Sequence, residues 1–298
     1  MYLVPNNSKI SNNFLPDNPL LLMNKFIKII NVNDNSKLEI LKIDKAKTEI
    51  FRSLKSDIIL RNMKKLFSEI NKKMKIIAKS YSLFTSSRLI VGLGSTSVLE
   101  TSIKLHHIYG VPYIPSTAIK GLLRAYKLWK LADWDMELFS AFEYAIKLVY
   151  EKCKEPEKEF CERLNNIQKK ELKPEANILL DKTEMIFKKK NELFEILQIF
   201  GSQVNRGSLI VFDAYPEQLN GFEIDIMNPH YPDYYQDNQP PADWQNPNPV
   251  KFLVLPAGTR FNFYFLNPYE QLESDLKNAL QLLGIGAKTA LGYGVFQS

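Results

Sequence analysis

Cysteine is almost missing: the 298 residues hold two, Cys153 and Cys161. Eight apart in a highly charged segment, they fit neither a zinc-ligand spacing nor a disulfide framework, and a reducing cytoplasm suits them best. Histidine is nearly as scarce, with three. No HExxH, paired-aspartate motif or Cys/His cluster occurs, Asp213 and Glu100 being isolated, so neither metal catalysis nor a cofactor is expected. No apolar run approaches the roughly 18 residues that a membrane span needs. The start offers Pro5, Asn6, Asn7, Pro16, Asp17 and Asn18 before a short apolar patch at Leu20–Met23. With no basic start and no small-residue cleavage site, a signal peptide is not expected.

What is present is an ordinary globular balance, 45% hydrophobic and 24% charged. The chain is long enough to bury a substantial core in one large domain or two small ones. A net charge of +6 suits a polyanionic partner without demonstrating one.

Within residues 46–80, Leu60, Met63, Phe67, Ile70, Met74 and Ile77 alternate spacings of three and four, the stripe of a long amphipathic helix. Arg61, Lys64, Lys65, Lys72, Lys73 and Lys75 lie on its other faces and read first as a solvated surface. Arg88–Gly94 is a short apolar run closed by glycines, which predicts a strand, and Ile103–Tyr113 looks extended, so that a long loop or hairpin follows the strand. Pro115, Ser116 and Thr117 then open a helix with Ile119, Leu122, Leu123, Tyr126 and Trp129 on its apolar face. Lys120, Arg124 and Lys127 form one basic stripe along it.

Residues 134–200 read as a charged helical insertion, including the Lys188–Lys190 run. Ser208–Tyr215 predicts a strand, and the Pro- and Tyr-rich stretch 228–249 tolerates no regular element. Thr259–Leu266 predicts a strand and Tyr269–Leu283 a helix that buries Leu272, Leu276, Ala279, Leu280 and Leu283. Thr289–Phe296 completes the chain as a last strand. The resulting order is βαββαβ, an α+β, modified ferredoxin-like arrangement over 81–298, with an N-terminal helical extension over 1–80.

The segment with the most chemical content is Gly284-Ile-Gly-Ala-Lys-Thr-Ala-Leu-Gly-Tyr-Gly294. Glycines let a backbone approach a ligand closely and leave N–H groups to face phosphate oxygens, and Lys288 adds a compact positive charge. A nucleotide-binding P-loop needs glycine before its lysine and a strand-to-helix order. Here Ala287 precedes Lys288 and the order is helix, loop, strand. Gly92 and Gly94 lack the third glycine of a dinucleotide fingerprint, Ser97 standing in its place. Glycines that merely make tight turns explain the same pattern equally well.

This C-terminal glycine loop resembles the signature of the RAMP superfamily, the RNA-binding paralogues of CRISPR systems. The resemblance extends through Leu89–Glu100, His106–Pro115, Lys120-Gly-Leu-Leu-Arg124, Asp213-Ala-Tyr-Pro216 and Asn228-Pro-His-Tyr231, in that order. These blocks are similar to the subunits of type III-B Cmr effectors. The resemblance implies a non-catalytic scaffold that grips guide RNA towards its 3′ end among other Cmr subunits, with target RNA as a further partner. It transfers no catalytic residue, since target cleavage belongs to a different subunit.

Among the residues, Lys120, Arg124 and Lys288 are the leading candidates for phosphate contacts, with Arg88 and Lys104 behind them. Gly284, Gly286, Gly292 and Gly294 would shape the loop, and Tyr109, Tyr113 and Tyr293 could stack on bases or pack in the core. His106 joins the RNA-binding set. His106 or His107 would also be the acid or base of an RNA-processing endonuclease, the alternative reading. Adjacent histidines on an extended segment point to opposite faces, so at most one would serve a given site. His230 suits stacking or packing. A subunit that contacts only protein is the third reading.

Overall fold

The computed structural model describes residues 57–97, 101–147, 182–202, 205–217, 220–228, 240 and 249–297. Glu100, Cys153, Cys161, His230, most of 228–249 and the chain before residue 57 lie outside the described residues. The elements are α1 (Asp57–Ile77), β1 (Lys79–Thr85), α2 (Ser116–Leu131), α3 (Met136–Ala145), α4 (Thr183–Lys188) and α5 (Lys190–Phe200). There follow β2 (Ile210–Val211), β3 (Tyr215–Pro216), β4 (Glu223–Met227), β5 (Val250–Val254), β6 (Arg260–Leu266), α6 (Leu272–Leu282), a 3₁₀ turn (Thr289–Leu291) and β7 (Phe296–Gln297). The fold is α+β.

The main sheet has the order β2–β6–β1–β7, with β3 also on β6, and every pairing is antiparallel. The alternation in β6 explains both of its faces. Phe261, Phe263 and Phe265 point to one side with Tyr81 and Leu83 of β1, where Ile119 and Leu123 of α2 and Leu272, Leu276 and Leu280 of α6 close the core. Phe296 of β7 meets Phe261 and Phe263 edge-on at 5.9 and 5.7 Å between ring centres. Each such fully buried ring contributes about 1.5–3 kcal/mol.

The other side of β6 carries Asn262 and Tyr264, and α1 covers it. The Tyr264 hydroxyl donates to Asn71 Oδ1 at 3.0 Å, and Phe67 packs 6.4 Å from the Tyr215 ring. Burial pushes the ionisation of Tyr264 up to about 12. The expected α1 stripe holds at Phe67 but fails at Ile77, which is 59% exposed. The chain passes from Ile77 into β1 within two residues, so the last helical turn overhangs the sheet.

Several expected strands move. Arg88–Gly94 makes a single bridge, Leu89 to Leu255, and the first strand is Lys79–Thr85, which begins inside the span 46–80 that the helical period marks. Leu89 and Ile90 form an apolar run for another reason: one enters the main core and the other a second cluster with Phe252 and Val254. The expected Ser208–Tyr215 strand divides into β2 and β3, because Ala214 pairs with Ile114 instead. Thr289–Phe296 is broken by left-handed backbone at Gly292 and Gly294, leaving only Phe296–Gln297 as strand. The β4–β5 ribbon was not anticipated.

Candidate nucleic-acid interface

The glycine loop is laced to the segment that follows β1. Ala287 N–H donates to Ile90 O at 2.8 Å, Gly294 N–H to Arg88 O at 2.8 Å, and Ile285 N–H to Gly294 O at 2.9 Å. A Cβ on Gly286 would lie 2.3 Å from Ile90 O, and one on Gly294 1.9 Å from Ile285 O. At these two positions the close approach that glycine permits is made by the chain itself. Gly284 is buried beside Tyr293 O, whereas Gly292 is exposed with open space around it.

Lys288 stands apart in this loop. It is a non-glycine residue held at φ 62°, a conformation costing roughly 1–2 kcal/mol for an L-residue. Its Nζ lies 4.9 Å from the centre of the Phe252 ring, and among the described residues no carboxylate pairs with it. Lys104 is exposed and equally unpaired among the described residues. Its amide donates to Val91 O at 2.7 Å, so Lys104 and the Lys288 loop lean on consecutive residues of one segment.

Arg88 and Tyr293 are engaged differently. Arg88 Nε and Nη1 bind Glu223 and Asp225 of β4 at 3.0 and 2.9 Å, and that pairing, with Glu223 foremost, raises the guanidinium further. Tyr293 donates its hydroxyl to Asp225. Burial works against the charged Asp225, but the Tyr293 hydroxyl, the Ile226 amide and Arg88 outweigh it and hold the carboxyl below its usual range.

The basic stripe of α2 turns largely inward. Arg124 grips Glu143 with two bonds of 2.7 and 3.0 Å. Lys127 sits 4.2 Å above the Tyr269 ring, within 4.0 Å of Asp275 and 3.9 Å of Glu195. Lys120 donates to Leu209 O at 3.0 Å, and burial, then the nearby Arg206, lowers its proton affinity.

Residues 105–112 fold back in a tight hairpin turn, with Leu105 bridged antiparallel to Pro112. His106 N–H donates to Val111 O, Gly110 N–H to His106 O, and Ile108 N–H to His106 Nδ1 at 3.3 Å. This corrects the expectation of opposed histidines: the turn brings both imidazoles to one side, stacked at 5.0 Å, with Tyr109 stacked on His106 at 4.9 Å. Tyr113 stacks on Tyr215 at 5.9 Å, and Tyr109 and Ile108 are exposed. Burial and then His107 push His106 below 6.5, and burial with Asp213 pushes Tyr215 up to about 12. Sequence reasoning gave no role to Arg206, Tyr215 or Asp225. The Asp213–Pro216 block held the signal for Tyr215, and the period-two run Glu223–Met227 the signal for Asp225.

Among the described residues no helix is long and apolar enough to cross a membrane, and no group of three or more His, Cys, Asp or Glu is placed to hold a metal.

The RAMP superfamily model matches residues 83–297. The CRISPR system Cmr subunit Cmr6 of Pyrococcus furiosus is 40% identical over 226 residues, covering 70% of this chain and 65% of that protein. The chain thus spans just under two thirds of that relative's length. The corresponding Cmr6 of Saccharolobus solfataricus is 22% identical over 299 residues, covering 94% of this chain and 80% of the relative. A chain in the cryo-EM structure of the type III-B Cmr-beta bound to cognate target RNA superposes with TM-score 0.51 at 21% identity, over 98% of this chain and 82% of that one, a likeness of fold. With a match running from within β1 to β7, the chain belongs to the RAMP superfamily.

Proposed function

We propose that this chain is a non-catalytic, RNA-binding scaffold subunit of a type III-B CRISPR effector, contacting guide RNA towards its 3′ end and neighbouring Cmr subunits in antiviral defence. The proposed setting is the cytoplasm. The observation that carries the reading is the pair Lys104 and Lys288, cations without carboxylate partners among the described residues, in segments whose backbones bond the consecutive residues Val91 and Ile90. The Cmr6 relatives support it.

We further infer a ferredoxin-like core over 81–298 with a helical insertion and an N-terminal extension. In βαββαβ numbering the order β2–β6–β1–β7 becomes 2-3-1-4 with antiparallel neighbours, which supports this topology. Lys104 and Lys288 would take phosphates, Gly292 would let the backbone approach, and His106, Tyr109 and Tyr293 would offer stacking faces. Arg88, Arg124, Gly284, Gly286 and Gly294 would contribute mainly by fixing the surface, since their partners lie within the chain. The endonuclease reading is weaker, because His106 Nδ1 already accepts the Ile108 amide and its ring stacks on two neighbours.

Binding of this kind is salt-dependent and nearly indifferent to sequence. The test is a fluorescence anisotropy titration of the purified chain with labelled single-stranded RNAs at rising salt. Affinity that falls steeply and equally for all sequences is expected; salt-insensitive affinity contradicts the proposal.

A further inference from the structure

We infer that Lys120 and Arg206 together seat one phosphate group of single-stranded RNA, in the cavity between the start of α2 and the segment leading into β2. The inference rests on the RNA-binding reading above and adds a site to it.

The cations of α2 provide the contrast. Arg124, Lys127 and Lys130 each have a carboxylate within 4.0 Å, from Glu143, Glu195 or Asp275. Lys120 does not: its neighbour in charge is another cation, Arg206, which also lacks an ion pair among the described residues. Two like charges brought together without a counter-charge repel, and an anion between them reverses the sign of that interaction. Lys120 places one of its three donors on Leu209 O at 3.0 Å, leaving two for a ligand.

Both side chains line a cavity of about 210 Å³, which the hydroxyl-bearing Ser116 and Thr117 also line and, among the described residues, no carboxylate does. That is the volume of about seven waters at roughly 30 Å³ each, room for a phosphate group with some of its hydration. Ser116 and Lys120 are four residues apart and share one face of α2. The helix end itself is not the attraction, because the Ser116 amide already donates to Asp213 Oδ1 at 2.6 Å. The side chains supply the donors.

Arg206 is presented from a fixed base. Its backbone bridges to Gly201, and Ser208 and Leu209 N–H donate to Gln198 O and Ile199 O at 2.9 and 3.0 Å. A Cβ on Gly207 would come within 2.5 Å of Gly201 N and Ile199 O, so this turn is pinned against the end of α5. A cation held in this way loses less freedom on binding than one on a loose loop.

The test compares the full-length chain with Lys120→Met, Arg206→Gln and the double variant, titrating fluorescein-labelled uridine oligonucleotides across a range of salt. Each single variant is expected to weaken binding, and the double variant to reduce the salt slope by about 0.7, the value for one phosphate on a single strand. The double variant should lose no more than that one-phosphate value, because one phosphate is shared. A loss twice as large assigns the cations to separate phosphates and overturns the seat. Unchanged slopes in all variants, beside normal binding by the unsubstituted chain, overturn the seat and leave the RNA-binding reading standing. So does normal RNA binding accompanied by failed assembly with neighbouring subunits, which marks a protein contact. A chain that binds no RNA overturns both. Oligonucleotides with and without a 3′-phosphate identify the source: equal slope losses indicate a backbone phosphodiester, and a loss confined to the 3′-phosphorylated form indicates the terminal group. Arg206 is exposed, so Arg206→Gln keeps the test decisive if Lys120→Met fails to fold.

Discussion

Arg88 Nη1 lies 2.9 Å from Asp225 Oδ2, and the Tyr293 hydroxyl donates to the same carboxylate. One carboxylate therefore ties the segment after β1, the β4–β5 ribbon and the glycine loop together. This clamp is what gives Lys288 and Lys104 a defined platform.

The clamp predicts a pH dependence. Asp225 is held below its ordinary value of 3.8 in the fold. Its stabilising contribution is therefore complete above that value and is lost as pH falls through the lower, folded one. Asp225→Asn should melt below the unsubstituted chain at pH 6, with the difference shrinking as the solution is acidified past that range. A difference that stays constant across thermal melts would contradict the clamp.

Glycine substitutions should separate packing from surface. Gly294→Ala would put Cβ 1.9 Å from Ile285 O, whereas Gly292→Ala meets open space and only a positive φ. Urea unfolding should show a loss of about 1 kcal/mol for Gly292→Ala, and for Gly294→Ala a loss above roughly 3 kcal/mol or failure to fold. Similar losses at the two sites would show that the loop is not laced as described.

Lys288 should show a trade of stability for binding. Lys288→Gly relieves the left-handed strain while adding freedom to the unfolded chain, so stability should stay within about 1 kcal/mol of the original. RNA affinity should nevertheless fall and its salt slope flatten. Retained affinity in the anisotropy titration would remove Lys288 from the interface.

His106 should titrate below 6.5, since burial disfavours its charged form. A folded value under the unfolded one means that stability falls as pH drops through about 6.5 and levels off below the folded value. Proton NMR of the imidazole reports the titration directly, and His106→Ala should remove that part of the pH dependence from the melts.

Elements whose pattern is set locally were legible in the sequence. The α2 and α6 faces follow from helical spacing, and β6 from its alternating phenylalanines. β1 was absorbed into the helical period because α1 runs into it within two residues, and the apolar run at residues 89–91 imitated a strand by being buried on both sides. The cations show the deeper limit. Their residue types suggested phosphate contacts, but Arg88 meets carboxylates 135 and 137 positions away and Arg124 one 19 positions away. Such neutralisation is created by tertiary packing and leaves no local trace. Lys104, ranked behind Arg124 from sequence, emerges with the clearer surface.

The most direct measurement is ultraviolet crosslinking of guide RNA in the natively purified effector complex, with crosslinked peptides mapped by mass spectrometry. The account predicts crosslinks within residues 104–127 or 284–294. Crosslinks on neighbouring subunits with none on this chain would contradict RNA binding and make it a subunit that contacts protein alone.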